Sequence, residues 1–139
     1  MWLSALIVTA VISGCTSAKT IIMTGPDGRV KVAFNLNKEG QSAYTVTYRD
    51  TAVITEGFLG IVRSDADFSS GLKLDSVTGP EEVSGSYTLL HGKKKDAKHS
   101  SLRHTAHLSS STGEAIDIIF QVSDDGFAFC YRFPSASEE

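Results

Sequence analysis

The sequence predicts an all-β protein, a β-sandwich assembled from antiparallel hairpins. Three observations carry that prediction. Apolar residues recur at every second position through most of the chain, the spacing that sends alternate side chains to opposite faces of a strand. Clusters rich in Gly, Asp and Ser separate the apolar runs, and 12 Gly against 3 Pro suit turns between ordered segments. No window offers an amphipathic helix of about three turns with capping residues at its ends. The pattern corresponds to about eight to ten strands in one domain, with no internal repeat and no shift of composition to mark a boundary.

Residues 1–19 stand outside this pattern. Trp2 to Ile12 reads WLSALIVTAVI without a charge and passes through Ser13 and Gly14 to Cys15. The stretch is shorter than the about 20 residues of a membrane-crossing helix. An apolar run followed by small residues is instead the pattern of a secretory signal peptide, expected here over residues 1–14. Its ending, Ile12-Ser13-Gly14-Cys15, resembles the lipobox of bacterial lipoproteins. That resemblance makes Cys15 the lipidation site, bound to the membrane by acyl chains worth about 0.8 kcal/mol per buried methylene. The basic residue usual before such a run is missing. The alternatives are a simple cleaved signal, or an apolar first strand with Cys15 as a buried thiol. Residues 15–19 are small and polar and read as a tether, with order beginning near Thr20. The expected location is the cell envelope, periplasm or outer membrane, lipid-anchored or secreted.

The strands follow in order. Thr20 to Thr24 forms a short strand ahead of the tight turn Pro26-Asp27-Gly28. Val30, Val32, Phe34 and Leu36 then alternate with Arg29, Lys31, Ala33 and Asn35, giving a strand with one wet face. Tyr44, Val46 and Tyr48 share a side of the next strand. For these even positions to oppose even positions of the preceding strand, the loop from Asn37 to Gln41 must be odd in length. Weaker candidates lie at Ala52 to Thr55, Phe58 to Val62, Leu72 to Val77, Ser86 to Leu90 and Leu102 to Leu108, and Lys93-Lys94-Lys95 reads as a solvated loop. The clearest hairpin closes the chain, with Ile116, Ile118, Phe120 and Val122 before Asp124-Asp125-Gly126 and Phe127, Phe129, Tyr131 and Phe133 after it. The two rows share a face only across an even loop, either Asp125-Gly126 alone or Ser123 to Gly126.

Composition and motifs exclude most chemistry. With 16 acidic against 13 basic side chains and a net charge of -3, no positive field matches a phosphate backbone, and nucleic acid is not an expected partner. An apolar content of 41% with 21% charged residues supports a packed core. Two cysteines cannot build a disulfide framework or a four-thiolate zinc site, and with Cys15 acylated Cys130 reads as a small apolar residue on a strand. The chain lacks G-x-G-x-x-G, a phosphate loop around Gly92-Lys93, and the G-x-S-x-G elbow. Of His91, His99, His104 and His107, the last two have opposite parity on one strand. His104 falls on the inward row with Leu102, Ala106 and Leu108, so no metal ligand is assigned. Glu56, Asp65, Asp67, Glu81 and Glu82 fall in loops, where carboxylates are ordinarily just solvated, and no catalytic residue is assigned. Trp2 is the sole tryptophan and lies in the signal, while Tyr and Phe sit mostly on inward rows. An autonomous sugar-binding platform is therefore not expected.

The order of segments is more specific than any one of them. Pro26-Asp27-Gly28-Arg29-Val30-Lys31-Val32, then Tyr44-Thr45-Val46-Thr47-Tyr48, Leu59-Gly60-Ile61, Gly71-Leu72-Lys73-Leu74 and Asp125-Gly126-Phe127-Ala128-Phe129-Cys130-Tyr131-Arg132-Phe133-Pro134 resemble the amino-terminal domain of glycoside hydrolase family 97. Cys130 stands where that family's arginine is expected. The resemblance implies part of a large two-sheet supersandwich preceding a catalytic (β/α)8 barrel, in a bacterial protein related to α-glucosidases and α-galactosidases. Family calcium and catalytic carboxylates belong mainly to the barrel and to later parts of the sandwich. This chain alone is then expected to be no enzyme and to hold no cofactor, calcium being expected in the complete family enzyme. Residues 20–139 are expected to be an incomplete sandwich, with an apolar face or an edge strand left open. The implied role is to brace the barrel in cis and to help wall a cleft for an α-linked oligosaccharide. The alternative is a free-standing envelope lipoprotein whose sandwich binds a protein or glycan partner.

Overall fold

The computed structural model describes residues 20–90 and 96–134; Cys15, the signal and tether expectations, and the Lys93-Lys94-Lys95 loop lie outside them. Alternation over these residues produces two antiparallel meanders. One sheet contains β1 (Ile21–Thr24), β2 (Val30–Leu36), β3 (Ser42–Tyr48) and β4 (Thr51–Leu59) in that spatial order. The other contains β5 (Lys73–Thr88), β6 (Asp96–Ser109), β7 (Ala115–Ser123) and β8 (Phe127–Arg132). The eight strands of the described residues thus pack as an all-β sandwich.

Register follows the parity of the loops. Phe34 pairs with Tyr44 and Leu36 with Ser42, leaving the odd loop Asn37 to Gln41. Val122 pairs with Phe127, which selects the four-residue loop Ser123 to Gly126 over the shorter turn. Ser123 closes it by donating its N–H to the Gly126 carbonyl, 2.8 Å away, and its hydroxyl to Asp125. Even positions of β2 and β7 consequently face each other across the sandwich. Val32, Phe34, Phe120 and Val122 are sealed from solvent, and the Phe34 and Phe120 rings meet at 5.3 Å. Each such side chain contributes about 1.5–3 kcal/mol on burial.

Two pairs of expected strands fuse. Ala52 to Thr55 and Phe58 to Val62 are one strand, β4, which ends at Leu59. A register shift between Tyr44 and Val46 absorbs the extra residue, and Gly57 lets the Tyr44 ring lie flat on the strand, where a Cβ would come within 2.5 Å of Tyr44 Cζ. Leu72 to Val77 and Ser86 to Leu90 are likewise one strand, β5, carried through Gly79-Pro80 by a bulge between Thr78 and Glu81. Proline is tolerated there because β5 is the edge strand of its sheet among the described residues. β6 also begins earlier than its apolar row, at Asp96. Among the described residues the far ends of β5 and β6 pair only with each other and project as a two-stranded arm from Glu81 to Thr88 and from Asp96 to Ser100.

The connection from β4 to β5 passes from one sheet to the other. It is anchored by buried Phe68 and Leu72 and stitched to the β2–β3 loop by Gly71 N–H to Glu39 C=O and Leu72 N–H to Gly40 C=O, at 2.8 and 2.9 Å. Tyr131 on β8 accepts the Gly60 N–H at 3.0 Å, joining the edges of the two sheets.

Candidate functional site

The chemistry-bearing side chains converge on the outer face of the second sheet. His107, Asp117 and Arg132 are direct cross-strand neighbours on β6, β7 and β8. Their parity is opposite to the core row of Leu108, Ile116 and Ile118, so all three point away from the first sheet. The Asp117 side chain is 5% exposed and accepts from His107 Nδ1 at 2.7 Å and from Arg132 Nε and Nη2 at 2.9 and 2.7 Å. On its other side His107 Nε2 lies 3.2 Å from the Thr78 hydroxyl. The order hydroxyl, imidazole, carboxylate is that of an activated nucleophile. Its setting differs, because Thr78 stands exposed on a flat edge strand. What the arrangement does is fasten β5, β6, β7 and β8 to one another through a single shielded carboxylate.

Sequence reasoning passed over this cluster because Asp117 sits among Ile116, Ile118 and Ile119 and reads as the wet phase of a strand. The available signal was the pairing of β6 with β7, which sets Asp117 opposite His107. The expected separation of the two histidines holds. His104 pairs with Phe120 on the inward side, its Nε2 is buried without a partner, and burial holds its pKa below the ordinary value. Cys130, expected as an apolar strand residue, is on β8 but exposed, because its parity puts it on the outer face. His99 rests against Gly85 across the arm.

The carboxylates singled out earlier do not converge. Asp65 binds Arg63, Asp67 accepts the Ser69 N–H and is held below the usual carboxylate range by Ser69, and Glu81 lies 3.6 Å from Arg103. Among the described residues no group of three or more His, Cys, Asp or Glu side chains is placed to hold a metal.

Hollows lie elsewhere among the described residues. A groove of about 560 Å³ runs between the foot of the arm and the β7–β8 turn, lined by Lys98, His99, Ser101, Gln121, Ser123 and Asp125 among others. A more apolar one of about 480 Å³ opens between the sheets beside Val30, Val46, Ile54 and Phe127. A shallower third, about 270 Å³, lies beside Phe58 and Ile61. Tyr44, Phe127, Phe129 and Tyr131 form a continuous aromatic row where β3 faces β8, and Phe129 is 40% exposed.

This architecture has counterparts. A family profile described as Glycosyl-hydrolase 97 N-terminal matches residues 23–139. The chain belongs to that family. A solved structure described as a β-arabinopyranosidase is similar to this family 97 N-terminal domain at 26% identity and a TM-score of 0.77, over 84% of this chain and 18% of that one. A glycoside hydrolase family 97 enzyme from Pseudoalteromonas sp. strain K8, solved with panose and separately with acarbose, is similar at 19% identity and a TM-score of 0.72, over the same shares. The chain thus spans under a fifth of the length of these relatives. No curated protein matches it.

Proposed function

We propose that this family 97 domain is a non-catalytic N-terminal sandwich of a glycoside hydrolase, which braces a catalytic barrel in cis and helps wall its carbohydrate cleft. The observation that carries the reading is the family match over residues 23–139, with superposition on only 18% of larger glycosidases. The polar ladder around Asp117 suits a rigid support rather than a reaction centre. In the complete protein, hydrolysis of an α-linked oligosaccharide would fall to two carboxylates outside the described residues, their separation setting retention or inversion. Calcium belongs to that complete protein. Lipidation at Cys15 would hold the assembly at the cell envelope.

The test is twofold. Nitrophenyl α-glucoside and α-galactoside are incubated with this purified chain and with the longer product of the source gene. The expected result is turnover by the longer product alone. Turnover proportional to the purified chain would overturn the non-catalytic reading, and a reading frame without a downstream barrel would replace it with a free-standing envelope protein.

A further inference from the structure

The arm formed by the far ends of β5 and β6 has its apolar side on the wrong face for the sandwich. Within the sandwich, the inward row of β6 is Leu102, His104, Ala106 and Leu108, opposite Val122, Phe120, Ile118 and Ile116. Directly paired residues share a face and successive residues alternate, so the same side of the arm carries Ser100, Lys98 and Asp96 with Ser84, Ser86 and Thr88. That side is wholly polar, and Thr88 donates to Asp96 at 2.9 Å. The opposite side pairs Val83 with Ser101, Gly85 with His99 and Tyr87 with Ala97. Apolar and polar faces therefore exchange near Ser101.

Ser101 marks the exchange. It faces outward yet is 1% exposed, donating to the Val83 carbonyl at 3.2 Å and accepting from Gln121 at 2.8 Å. Beyond it the outward side presents Tyr87, 55% exposed, and the strand runs on into Leu89 and Leu90, 42% and 92% exposed. A two-stranded ribbon by itself is marginal in water. The first sheet does not cover this side, because it packs against the opposite one.

We propose that the outward face of the arm, Val83, Tyr87, Ala97 and His99 with the groove at its foot, is the surface on which the catalytic body of the same polypeptide docks. The inference rests on the functional reading above, since the larger relatives carry more than four-fifths of their length outside the matching region. Bulk of that size is more than enough to cover the arm's inverted face. The groove of about 560 Å³ opens at the arm's foot, where β7 stops at Ser123 and β6 continues paired with β5 alone among the described residues. Free backbone groups there add hydrogen bonds to the apolar contact.

Hydrogen exchange of residues 81–90 and 96–101 is compared in this chain and in the longer gene product, followed by thermal melting of the longer product carrying Tyr87→Asp or, on the polar side, Ser86→Asp. Expected are at least about tenfold slower arm exchange in the longer product, separate melting transitions for Tyr87→Asp, and wild-type melting for Ser86→Asp. Equal exchange in both proteins overturns the proposal while leaving the domain assignment intact, and needs no variant to fold. Dimerisation of this chain that Tyr87→Asp abolishes, without effect in the longer product, assigns the face to a second copy and overturns it too. A gene that encodes no barrel defeats the functional reading and this inference together, and that is visible before any variant is made.

Discussion

Replacing Asp117 by alanine should cost this domain about 2–4 kcal/mol, and the figure can be built from the geometry. The carboxylate is almost fully shielded, while its partners differ: the His107 side chain is 29% exposed and that of Arg132 57%. A hydrogen bond to a charged group contributes about 1.5–3 kcal/mol when sheltered. The His107 contact at 2.7 Å belongs in that range. The Arg132 fork is mostly wet and is discounted to about 0.2–1 kcal/mol, because the freed guanidinium returns to water. The sum lowers the melting temperature by roughly 10 °C for a domain of this size. Urea denaturation of wild type, Asp117→Ala, His107→Ala, Arg132→Ala and the two double variants that combine Asp117→Ala with His107→Ala or with Arg132→Ala closes two double-mutant cycles, in which the His107 coupling should exceed the Arg132 coupling. Asp117→Asn keeps shape and one acceptor and should lose about half as much. A change under about 0.5 kcal/mol for Asp117→Ala would refute the argument that this carboxylate fastens the four strands.

Phe120→Ala removes a sealed ring between Phe34 and Phe129 and should destabilise the fold by about 3–5 kcal/mol by denaturant midpoint, whereas Phe129→Ala, at a 40% exposed position, should cost less than half of that. Gly40→Ala places a methyl group 2.6 Å from Leu72 N at φ +71°, so about 2–4 kcal/mol should be lost; Gly28→Ala, at φ +74° with open space around it, should lose only about 1 kcal/mol. Burial keeps the folded His104 pKa below 6.5, so the unfolded chain takes up that proton first. Stability is then full above about pH 6.5 and falls as pH drops toward the lower folded value, before the carboxylates titrate. The urea midpoint should decline from about pH 7.5 to 5.0, and His104→Leu should flatten that slope.

Alternation by itself determined the fold class. It also set the parity of two hairpins, because a one-residue slip would turn Val32, Phe34, Ile118 and Phe120 toward water, while the pairing of Val122 with Phe127 chose the four-residue loop. The order of the segments was enough to indicate the family. The strand count was less legible, since β4 and β5 run through Gly57 and Gly79-Pro80, residues that punctuate a sequence but serve as bulges once a neighbouring strand is in place. Only the tertiary structure decided that Asp117 is shielded and shared between His107 and Arg132, and that Cys130 faces outward. Parity says that two residues of one strand lie on opposite sides; it does not say which strand comes alongside, nor what covers a face. The arm shows the same limit. Its residues alternate as the sandwich strands do, yet the apolar phase lies on the other side, a reversal that parity within either strand does not reveal.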